Sequence, residues 1–470
     1  MAFVARCQVG ILFLIAFGMA GFAIPVAAAG EDAVTPESAL RWPRLLGEDF
    51  DGSAATKQTF DWSEKPRFVW SLEVGEGYGL GSVWGDEYFQ FDAESTESGP
   101  QERLRCIDLN TGKVKWQDAR PLQYRDMYGY ESGPRSTPTL DSQYVFTFGV
   151  AGELVCRDRS KHQVRWVVDT NKKYGVVQNF FGVGSSPLLV DDLVIVMVGG
   201  SPAEDASIAP GRLDRVSPNG SALVAFDKAT GKERWKCGDD LASYSSPRTM
   251  QIDGQTRVLA YARDNLWCVD PKLGKVLWKY SHRADILESA IAMTPVVDAN
   301  QVFISECYQI GSVLLSVTDQ KAEAVWKDPP FDRRSQAMRS HWATPVLIDG
   351  FLYGCSGRNA PDSDFRCIQW DTGEVKWSDP RRTRASATRV GDVMLVLEER
   401  GTLQVVKANS EKFELVNEWR LDEGDADHDN ADQDNAAVPP IRYPCWSAPI
   451  VVGNRMLVRG DERVVCFELR

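Results

Sequence analysis

The acidic segment 422–434 has the residue types and spacing that come nearest to a metal site in this sequence. Its carboxylates Asp425, Asp427 and Asp429 stand two residues apart, as the first three ligands of a calcium-binding loop do. Asn430 occupies the place of that loop's glycine, and an alanine stands where its bidentate glutamate belongs. The segment therefore predicts either a calcium site or an acidic insertion without a metal.

Arginines form a second group of residues that could bind a ligand. They occur in two neighbouring segments, as Arg333, Arg334 and Arg339 in the first and as Arg381, Arg382 and Arg384 in the second. Guanidinium groups bind carboxylates and phosphates through paired hydrogen bonds. These arginines predict a basic patch on an acidic protein, or else a solvated charged face.

Motifs of the common enzyme classes are missing from the sequence. It has no Gly-x-Ser-x-Gly elbow, no His-Glu-x-x-His motif and no phosphate-binding loop. The four histidines, His162, His282, His341 and His428, do not have the spacing of metal ligands. The chain carries 66 acidic and 53 basic residues, a net charge of −13, so its surface as a whole repels the phosphates of nucleic acids.

A repeated unit organises the chain and must position these residues. Residues 223–235 read LVAFDKATGKERW, and close copies read LRCIDLNTGKVKW at 104–116 and LWCVDPKLGKVLW at 266–278. More distant copies begin at residues 154, 315, 365 and 403. A small residue, usually followed by proline as in Thr137-Pro138, and a short apolar run precede each copy.

The unit has the properties of a strand, a tight turn and a second strand. Alternating apolar residues indicate strands, Asp and Gly favour the turn, and tryptophan has enough area to pack on a neighbouring unit. The predicted structural tryptophans are Trp70, Trp116, Trp166, Trp235, Trp278, Trp326, Trp377 and Trp419. Four short strands per unit predict an all-β fold, an eight-bladed β-propeller of four-stranded antiparallel blades. The strand around Trp70 is expected to complete the sheet of the C-terminal strand around Cys466 and so close the ring.

The repeat resembles that of the quinoprotein-like propellers, whose pattern is A-x-D-x-x-T-G-x-x-x-W. Ala225, Asp227, Thr230, Gly231 and Trp235 match it in full, and the other units match in part. This family includes quinone-dependent alcohol and glucose dehydrogenases and a non-enzymatic propeller that assists the assembly of outer-membrane barrels. The resemblance therefore implies the fold and leaves the function open.

The N-terminus has the pattern of a secretory signal. A single charge, Arg6, precedes an apolar run that ends in three alanines, and a retained membrane anchor is the alternative. We therefore predict a signal peptide at residues 1–29, an N-terminal strap at 30–65 and the propeller at 66–470. No other segment is apolar enough to span a membrane. Because of the signal peptide, the protein is expected to be exported, either periplasmic in a bacterial envelope or secreted.

Most cysteines belong to the repeat. Cys106, Cys156, Cys268, Cys367 and Cys466 occupy the position of Ala225 in other units. Equivalent positions of different blades are too far apart for a disulfide, so these thiols are expected in the core. A disulfide among the others, Cys237, Cys307, Cys355 and Cys445, is left open.

The segments that follow the tryptophans lead to the next inner strand, so they all emerge on one face around the central channel. The candidate ligand or partner face on these segments comprises Tyr128, Tyr130, Arg135, Asn179, Phe180, Tyr244, Arg339, His341, Trp342, Arg384 and Trp446. The residues expected nearest the axis are Arg135, Tyr244, His341, Trp342 and Trp446. The aromatic rings either plug the channel or bind a peptide or a sugar.

The dehydrogenases with this repeat carry a vicinal Cys-Cys disulfide, a calcium site and a catalytic aspartate, and this sequence has no Cys-Cys dipeptide. We therefore predict a monomeric, exported, non-catalytic scaffold that binds an envelope or extracellular protein, a peptide or a glycan. No catalytic residue is assigned, and no cofactor is expected, neither pyrroloquinoline quinone nor any other beyond the calcium considered above. The alternatives are a divergent quinone-dependent dehydrogenase acting on an alcohol or sugar, and an extracellular carbohydrate- or peptide-binding module.

Overall fold

The computed structural model describes residues 40–54, 56–423 and 439–470. The first ten strands are β1 (Arg41–Trp42), β2 (Arg67–Glu73), β3 (Ser82–Trp84), β4 (Glu87–Thr96), β5 (Gly99–Asp108), β6 (Val114–Pro121), β7 (Thr139–Leu140), β8 (Tyr144–Phe148), β9 (Glu153–Asp158) and β10 (Gln163–Asp169). The next eight are β11 (Leu188–Val190), β12 (Leu193–Met197), β13 (Leu223–Asp227), β14 (Glu233–Cys237), β15 (Arg248–Ile252), β16 (Gln255–Tyr261), β17 (Asn265–Asp270) and β18 (Lys275–Ser281).

The strands of the second half are equally short. Eight of them are β19 (Val296–Asp298), β20 (Gln301–Glu306), β21 (Gly311–Val317), β22 (Ala322–Lys327), β23 (Val346–Ile348), β24 (Phe351–Ser356), β25 (Asp364–Gln369) and β26 (Val375–Pro380). The last are β27 (Ala385–Val390), β28 (Val393–Glu398), β29 (Thr402–Lys407), β30 (Leu415–Arg420), β31 (Ile450–Val452), β32 (Arg455–Arg459) and β33 (Arg463–Glu468). The helices of the described residues are α1 (Thr170–Tyr174) and two 3₁₀ helices, Ala203–Ser207 and Leu213–Arg215.

These strands form eight antiparallel sheets, the blades of a propeller. Blade 1 contains β3 to β6, with β1 added beside β3. Blades 2 to 7 contain β7–β10, β11–β14, β15–β18, β19–β22, β23–β26 and β27–β30, and blade 8 contains β31, β32, β33 and β2. The central strands of a blade are almost wholly buried, as in β12, because neighbouring blades cover both faces. The predicted eight-bladed, all-β fold is confirmed.

The two ends of the chain meet in blade 8. Strand β2 pairs antiparallel with β33, and Trp70 lies opposite Cys466. The indole Nε1 of Trp70 also donates a hydrogen bond of 2.7 Å to the Leu109 carbonyl of blade 1. The predicted closure of the ring by N- and C-terminal strands is therefore confirmed.

The tryptophans of the outermost strands fasten each blade to the next. Trp166 Nε1 donates to the Lys228 carbonyl at 3.0 Å, and Trp235 Nε1 donates to the Pro271 carbonyl at 2.7 Å. Gly231, in the turn that receives Trp166, has a φ of 70°, and a Cβ added to it would lie 2.6 Å from that indole. Glycine thus meets two requirements at this turn, a left-handed backbone and close contact with the ring.

Blade 2 departs from this pattern. His162 replaces the turn glycine and stacks on Trp116, with ring centroids 5.0 Å apart and planes inclined by 19°. Trp116 Nε1 is buried and has no hydrogen-bond partner among the described residues. Stacking of the two rings thus replaces the usual contact between tryptophan and glycine.

In blade 7, the predicted tryptophan does not occupy the position that tryptophan takes in the other blades. Asn417, and not Trp419, lies opposite Val405, which is the position that tryptophan holds in the other blades. The reason lies in blade 8. Its strands β33 and β2 come from opposite ends of the sequence, so no turn joins them. The Asn417 side chain instead donates from Nδ2 to the carbonyl of Trp62 in the strap, at 2.8 Å.

The described part of the strap lies across one end of the channel. Strand β1 pairs with β3 of blade 1. The Phe50 carbonyl accepts a hydrogen bond of 3.0 Å from Arg248 in blade 4, and Ala54 N donates to the Arg389 carbonyl of blade 7 at 2.8 Å. Because these blades are spread around the ring, the strap must cross the axis and cover that end of the channel.

The cysteines that the structure describes, including Cys237, Cys307, Cys355 and Cys445, are all buried and free. No described helix is long and apolar enough to cross a membrane. The predicted signal peptide and the candidate calcium ligands Asp425, Asp427 and Asp429 lie outside the described residues.

We expect Gly231→Ala to destabilise the protein by about 2–4 kcal/mol, because the new methyl group meets the Trp166 indole and the φ is unfavourable for alanine. Gly254→Ala is the matched control, since Gly254 has a φ of 72° and no atom within 4 Å of an added Cβ. The control should lose only about 1–2 kcal/mol. Urea unfolding followed by circular dichroism measures both, and equal losses would show that the indole contact contributes nothing.

Candidate functional site

A cavity of about 410 Å³ lies on the axis of the propeller. Trp42, Leu45 and Leu46 of the strap line one end of it. Small residues at the starts of the inner strands, such as Gly184 and Ala448, line its wall. The strap therefore forms a floor, and the cavity opens on the opposite face, at an end that we call the mouth.

Most residues of the predicted face surround this cavity. Those that line it are Tyr130, Arg135, Tyr244, His341, Trp342, Arg384 and Trp446. They include every residue that the topology placed nearest the axis. Tyr128, Asn179, Phe180 and Arg339 do not line the cavity.

Aromatic side chains form a continuous series along one side of the mouth, here called the aromatic arc. It runs from Tyr128 to Phe181 (5.7 Å between ring centroids), then to Tyr130 (5.6 Å), Trp446 (6.1 Å) and Tyr443 (6.2 Å). Tyr128 is 55% and Tyr443 is 49% exposed. Large exposed rings next to a cavity offer flat apolar area and hydroxyl groups to a ligand.

Asp126 orders the loop that carries two of these rings. Its buried carboxylate accepts hydrogen bonds from the backbone N–H groups of Tyr128 (2.8 Å) and Tyr130 (3.0 Å). It also pairs with Arg135 at 2.9 Å, and the Arg135 guanidinium lies 5.6 Å from the centre of the Tyr78 ring. A charge inside the loop therefore fixes the aromatic surface outside it.

Glu399 likewise holds aromatic rings in place, on the other side of the mouth. It pairs with Arg384 at 2.7 Å and accepts a hydrogen bond of 3.1 Å from Trp446 Nε1. The Arg384 guanidinium lies 4.3 Å from the centre of the Trp342 ring, and Trp342 Nε1 donates to the Trp446 carbonyl at 3.2 Å. The two indoles are thereby held in one arrangement, 5.4 Å apart and inclined by 47°.

Three of the predicted residues that do not line the cavity, Asn179, Phe180 and Arg339, support its wall from behind. Asn179 donates from Nδ2 to the Ala242 carbonyl at 3.2 Å, and buried Phe180 packs with Leu213. Buried Arg339 donates to a carboxylate oxygen of Asp362 at 2.8 Å and thereby fastens the loop between β24 and β25.

Of the two alternatives for the arginines, an open basic patch is not found, because Arg333, Arg339, Arg382 and Arg384 each lie within 4 Å of a carboxylate. Arg339 and Arg333 both lie near Asp362, at 2.8 and 3.7 Å, and Arg382 forms an ion pair with Asp379. Arg384 is paired with Glu399, as described above. Carboxylates from the adjoining loops and strands thus neutralise most of the arginines that the sequence brings together.

Other residues line the cavity without having been predicted. Tyr308 lies between β20 and β21, and Arg358 and Asn359 lie between β24 and β25. These loops join the second and third strands of their blades, and such loops return to the mouth face as the predicted segments do. Phe181 and Tyr78 also line the cavity. Counting the strands of each blade in the sequence would have identified these loops between the second and third strands.

His341 is a neutral side chain in this wall. Its Nε2 lies 3.3 Å from the Tyr308 hydroxyl. Burial, together with the charges of Arg384 and Arg358, lowers the pKa of His341 to about 3. The imidazole therefore carries no charge near neutral pH and can only donate or accept a neutral hydrogen bond.

The fold and this site define a class of protein, an eight-bladed propeller with one covered end and one aromatic-lined opening. A family model described as outer membrane protein assembly factor BamB matches residues 100–379, more than half of the chain. The chain belongs to this family. No curated protein sequence matches it.

Solved structures show the same fold at low sequence identity. BamB from Moraxella catarrhalis is 14% identical with a TM-score of 0.55, and the match covers 87% of this chain and 98% of that one. A europium-containing methanol dehydrogenase is 11% identical with a TM-score of 0.65, covering 92% and 98%. Quinohemoprotein alcohol dehydrogenase from Comamonas testosteroni is 12% identical with a TM-score of 0.61, covering 92% and 81%.

The indole pair in the wall of the cavity does not form a slot for a flat quinone cofactor. A flat quinone needs a slot between parallel surfaces, whereas Trp342 and Trp446 pack on each other and Arg384 covers both. The neighbouring carboxylate, Glu399, is already paired with Arg384. Among residues 40–54, 56–423 and 439–470 there is no cluster of three His, Cys, Asp or Glu side chains that could hold a metal ion.

Proposed function

We propose that the protein is a non-catalytic binding scaffold of the cell envelope and that its partner binds at the mouth of the axial cavity. One observation carries the proposal: exposed aromatic rings lie at the mouth of a cavity whose other end the strap covers. Buried ion pairs hold these rings in place, so the surface is already organised before a partner binds.

The family supports the envelope location. The family is named for an outer-membrane assembly factor, and the N-terminal sequence pattern predicts export. The structural likeness to dehydrogenases supports the fold alone, and the contact between Trp342 and Trp446 favours a scaffold over an enzyme that binds a flat cofactor between these rings. A peptide segment of an envelope protein is the partner that best suits a partly polar, mainly aromatic opening of this size.

Site-specific photo-crosslinking tests this proposal. Tyr128, at the exposed end of the aromatic arc, is replaced with benzoylphenylalanine, and cells that produce the protein with its own signal are irradiated. We expect a discrete crosslinked product that contains one envelope protein. The matched control places the same group at Leu273, which is 72% exposed and lies in the turn between β17 and β18, away from the mouth. The control should give no such product.

Equal products at both positions, or none at Tyr128, would contradict binding at the mouth. The dehydrogenase alternative is tested separately, by mixing purified protein with pyrroloquinoline quinone, calcium and an alcohol. Saturable quinone binding together with alcohol-dependent reduction of a dye would replace the scaffold assignment with an enzymatic one.

A further inference from the structure

The axial cavity is closed at the strap and open at the mouth, and this shape restricts which ligands can occupy it. A chain cannot pass through, because Trp42, Leu45 and Leu46 of the strap form the floor. Leu80 and Ile450 also line the cavity, so its interior is largely apolar. A cavity of about 410 Å³ of this kind suits one end of a ligand with a buried apolar group.

Arg358 differs from the other two arginines of the cavity. Arg135 is paired with Asp126 and Arg384 with Glu399, but Arg358 has no carboxylate partner among the described residues. Its guanidinium is exposed and lies 5.0 Å from the centre of the Tyr308 ring. It is thus a cation at the rim of the cavity that is available to an anionic group of a ligand.

The loop that carries Arg358 is held in place. Arg339 donates three hydrogen bonds to Asp362, at 2.8, 3.1 and 3.2 Å, and Gly357 N donates to the Arg339 carbonyl at 2.8 Å. The loop is therefore fixed to buried Arg339 on both sides of Arg358, through the Arg339 backbone at Gly357 and through its side chain at Asp362. A bound anion would meet a guanidinium on a preorganised loop rather than on a free one.

His341 supplies a second polar group beside Arg358. When the Tyr308 hydroxyl donates to Nε2, the proton of the neutral imidazole is on Nδ1. His341 lines the cavity, and its Nδ1 is buried with no hydrogen-bond partner in the part of the chain that the structure describes. In that tautomer Nδ1 is a buried donor without a partner, which costs free energy, and a turn of the ring would present it to a ligand oxygen in the cavity.

We propose that this cavity binds the C-terminal end of a partner polypeptide, with the terminal carboxylate at Arg358 and His341 and an apolar last side chain inside the cavity. The residues that precede this end lie along the aromatic arc. The proposal rests on the proposed function, since it names the segment that binds at the mouth. A chain end fits a closed cavity, and a carboxylate complements the single unpaired guanidinium among the described cavity residues.

Fluorescence anisotropy with labelled peptides tests the proposal on the full mature protein. The probe is a hexapeptide that ends in leucine, labelled at its N-terminus, with either a free C-terminal carboxylate or an amide. We expect the free acid to bind at least tenfold more tightly than the amide. In Arg358→Gln this difference should fall below threefold, because the variant removes the group that distinguishes the two peptides.

Arg165→Gln is the matched control, since Arg165 is exposed on β10 and does not line the cavity. It should preserve the tenfold preference for the free acid. Circular dichroism of each variant shows whether the fold is intact. An Arg358→Gln protein that keeps the wild-type preference would overturn the proposal.

The remaining outcomes separate this proposal from the proposed function. Equal affinity of acid and amide, or binding of a uronate oligosaccharide in place of the peptide, would overturn the chain-end assignment. If neither peptide binds while the Tyr128 crosslink persists, the chain-end assignment fails and binding at the mouth stands. If the crosslink is also absent, both assignments fail.

Discussion

Replacing Trp70 with alanine is expected to lower the free energy of unfolding by about 3–5 kcal/mol. Trp70 is only 6% exposed, it packs on Gly112 of blade 1, and its Nε1 donates to the Leu109 carbonyl. It also lies opposite Cys466 in the strand pair that joins the two ends of the chain. Its removal therefore leaves a void at the contact between the closing blade and the first blade. Urea unfolding followed by circular dichroism measures the loss.

Two further variants serve as references for the loss of stability in Trp70→Ala. Trp70→Phe keeps part of the apolar contact and loses the hydrogen bond, so its loss should be intermediate. Leu273→Ala, at a side chain that is 72% exposed, should change the stability by less than about 0.5 kcal/mol. A loss of less than about 1 kcal/mol in Trp70→Ala would show that closure of the ring does not depend on this contact.

The sequence predicted the ring because each unit carries the residues that its contacts require. Asp227 accepts hydrogen bonds from the N–H groups of its turn, Gly231 takes the left-handed backbone, and Trp235 fastens the blade to the next. These contacts are local or join adjacent blades, so they recur at a regular spacing. Regular spacing is what a single sequence can show without any alignment.

Trp419 is buried in the core, but it does not take the repeat position, and the reason is a consequence of closure. A blade formed from both ends of the chain has no turn between its third and fourth strands. The blade before it therefore has no glycine on which a tryptophan could pack, and Asn417 is found in that position. The same reasoning that predicted the closing strand pair could have predicted this exception.

The candidate site was predicted only in part, for two physical reasons. Loops that follow a tryptophan are easy to identify, but Arg358 and Tyr308 lie in loops that no motif marks. Pairing between loops is also not encoded in spacing, so the sequence could not show that Asp362 neutralises Arg339. Among the described residues that line the cavity, the arginine without a carboxylate partner is Arg358, which the sequence did not single out.

The same propeller fold occurs in scaffolds and in dehydrogenases, so the function depends on the residues at the mouth. In this protein, buried carboxylates organise the mouth. Asp126 and Glu399 each hold an arginine and, through it or directly, the aromatic rings beside it. These carboxylates do not face a ligand, yet they determine the surface that a ligand meets.

Glu399→Gln is therefore expected to lower the free energy of unfolding by about 3 kcal/mol and to abolish most of the crosslinking from position 128. The glutamine can still accept from Trp446, but Arg384, whose side chain is only 14% exposed, loses its compensating charge. A partly buried guanidinium without a carboxylate must move toward water, and it then leaves the face of Trp342, on which it lies at 4.3 Å. Urea unfolding and the crosslink yield measure the two effects.

Glu323→Gln is the control for this substitution, because Glu323 forms a surface ion pair of 2.8 Å with Lys321 and its side chain is 66% exposed. Exposed pairs contribute little, so the control should lose less than about 1 kcal/mol and keep the crosslink. If Glu399→Gln behaved like the control, the mouth would owe its shape to the packing of Trp342 and Trp446 alone. A loss of crosslinking in Glu399→Gln at unchanged stability would instead place Glu399 in direct contact with the partner.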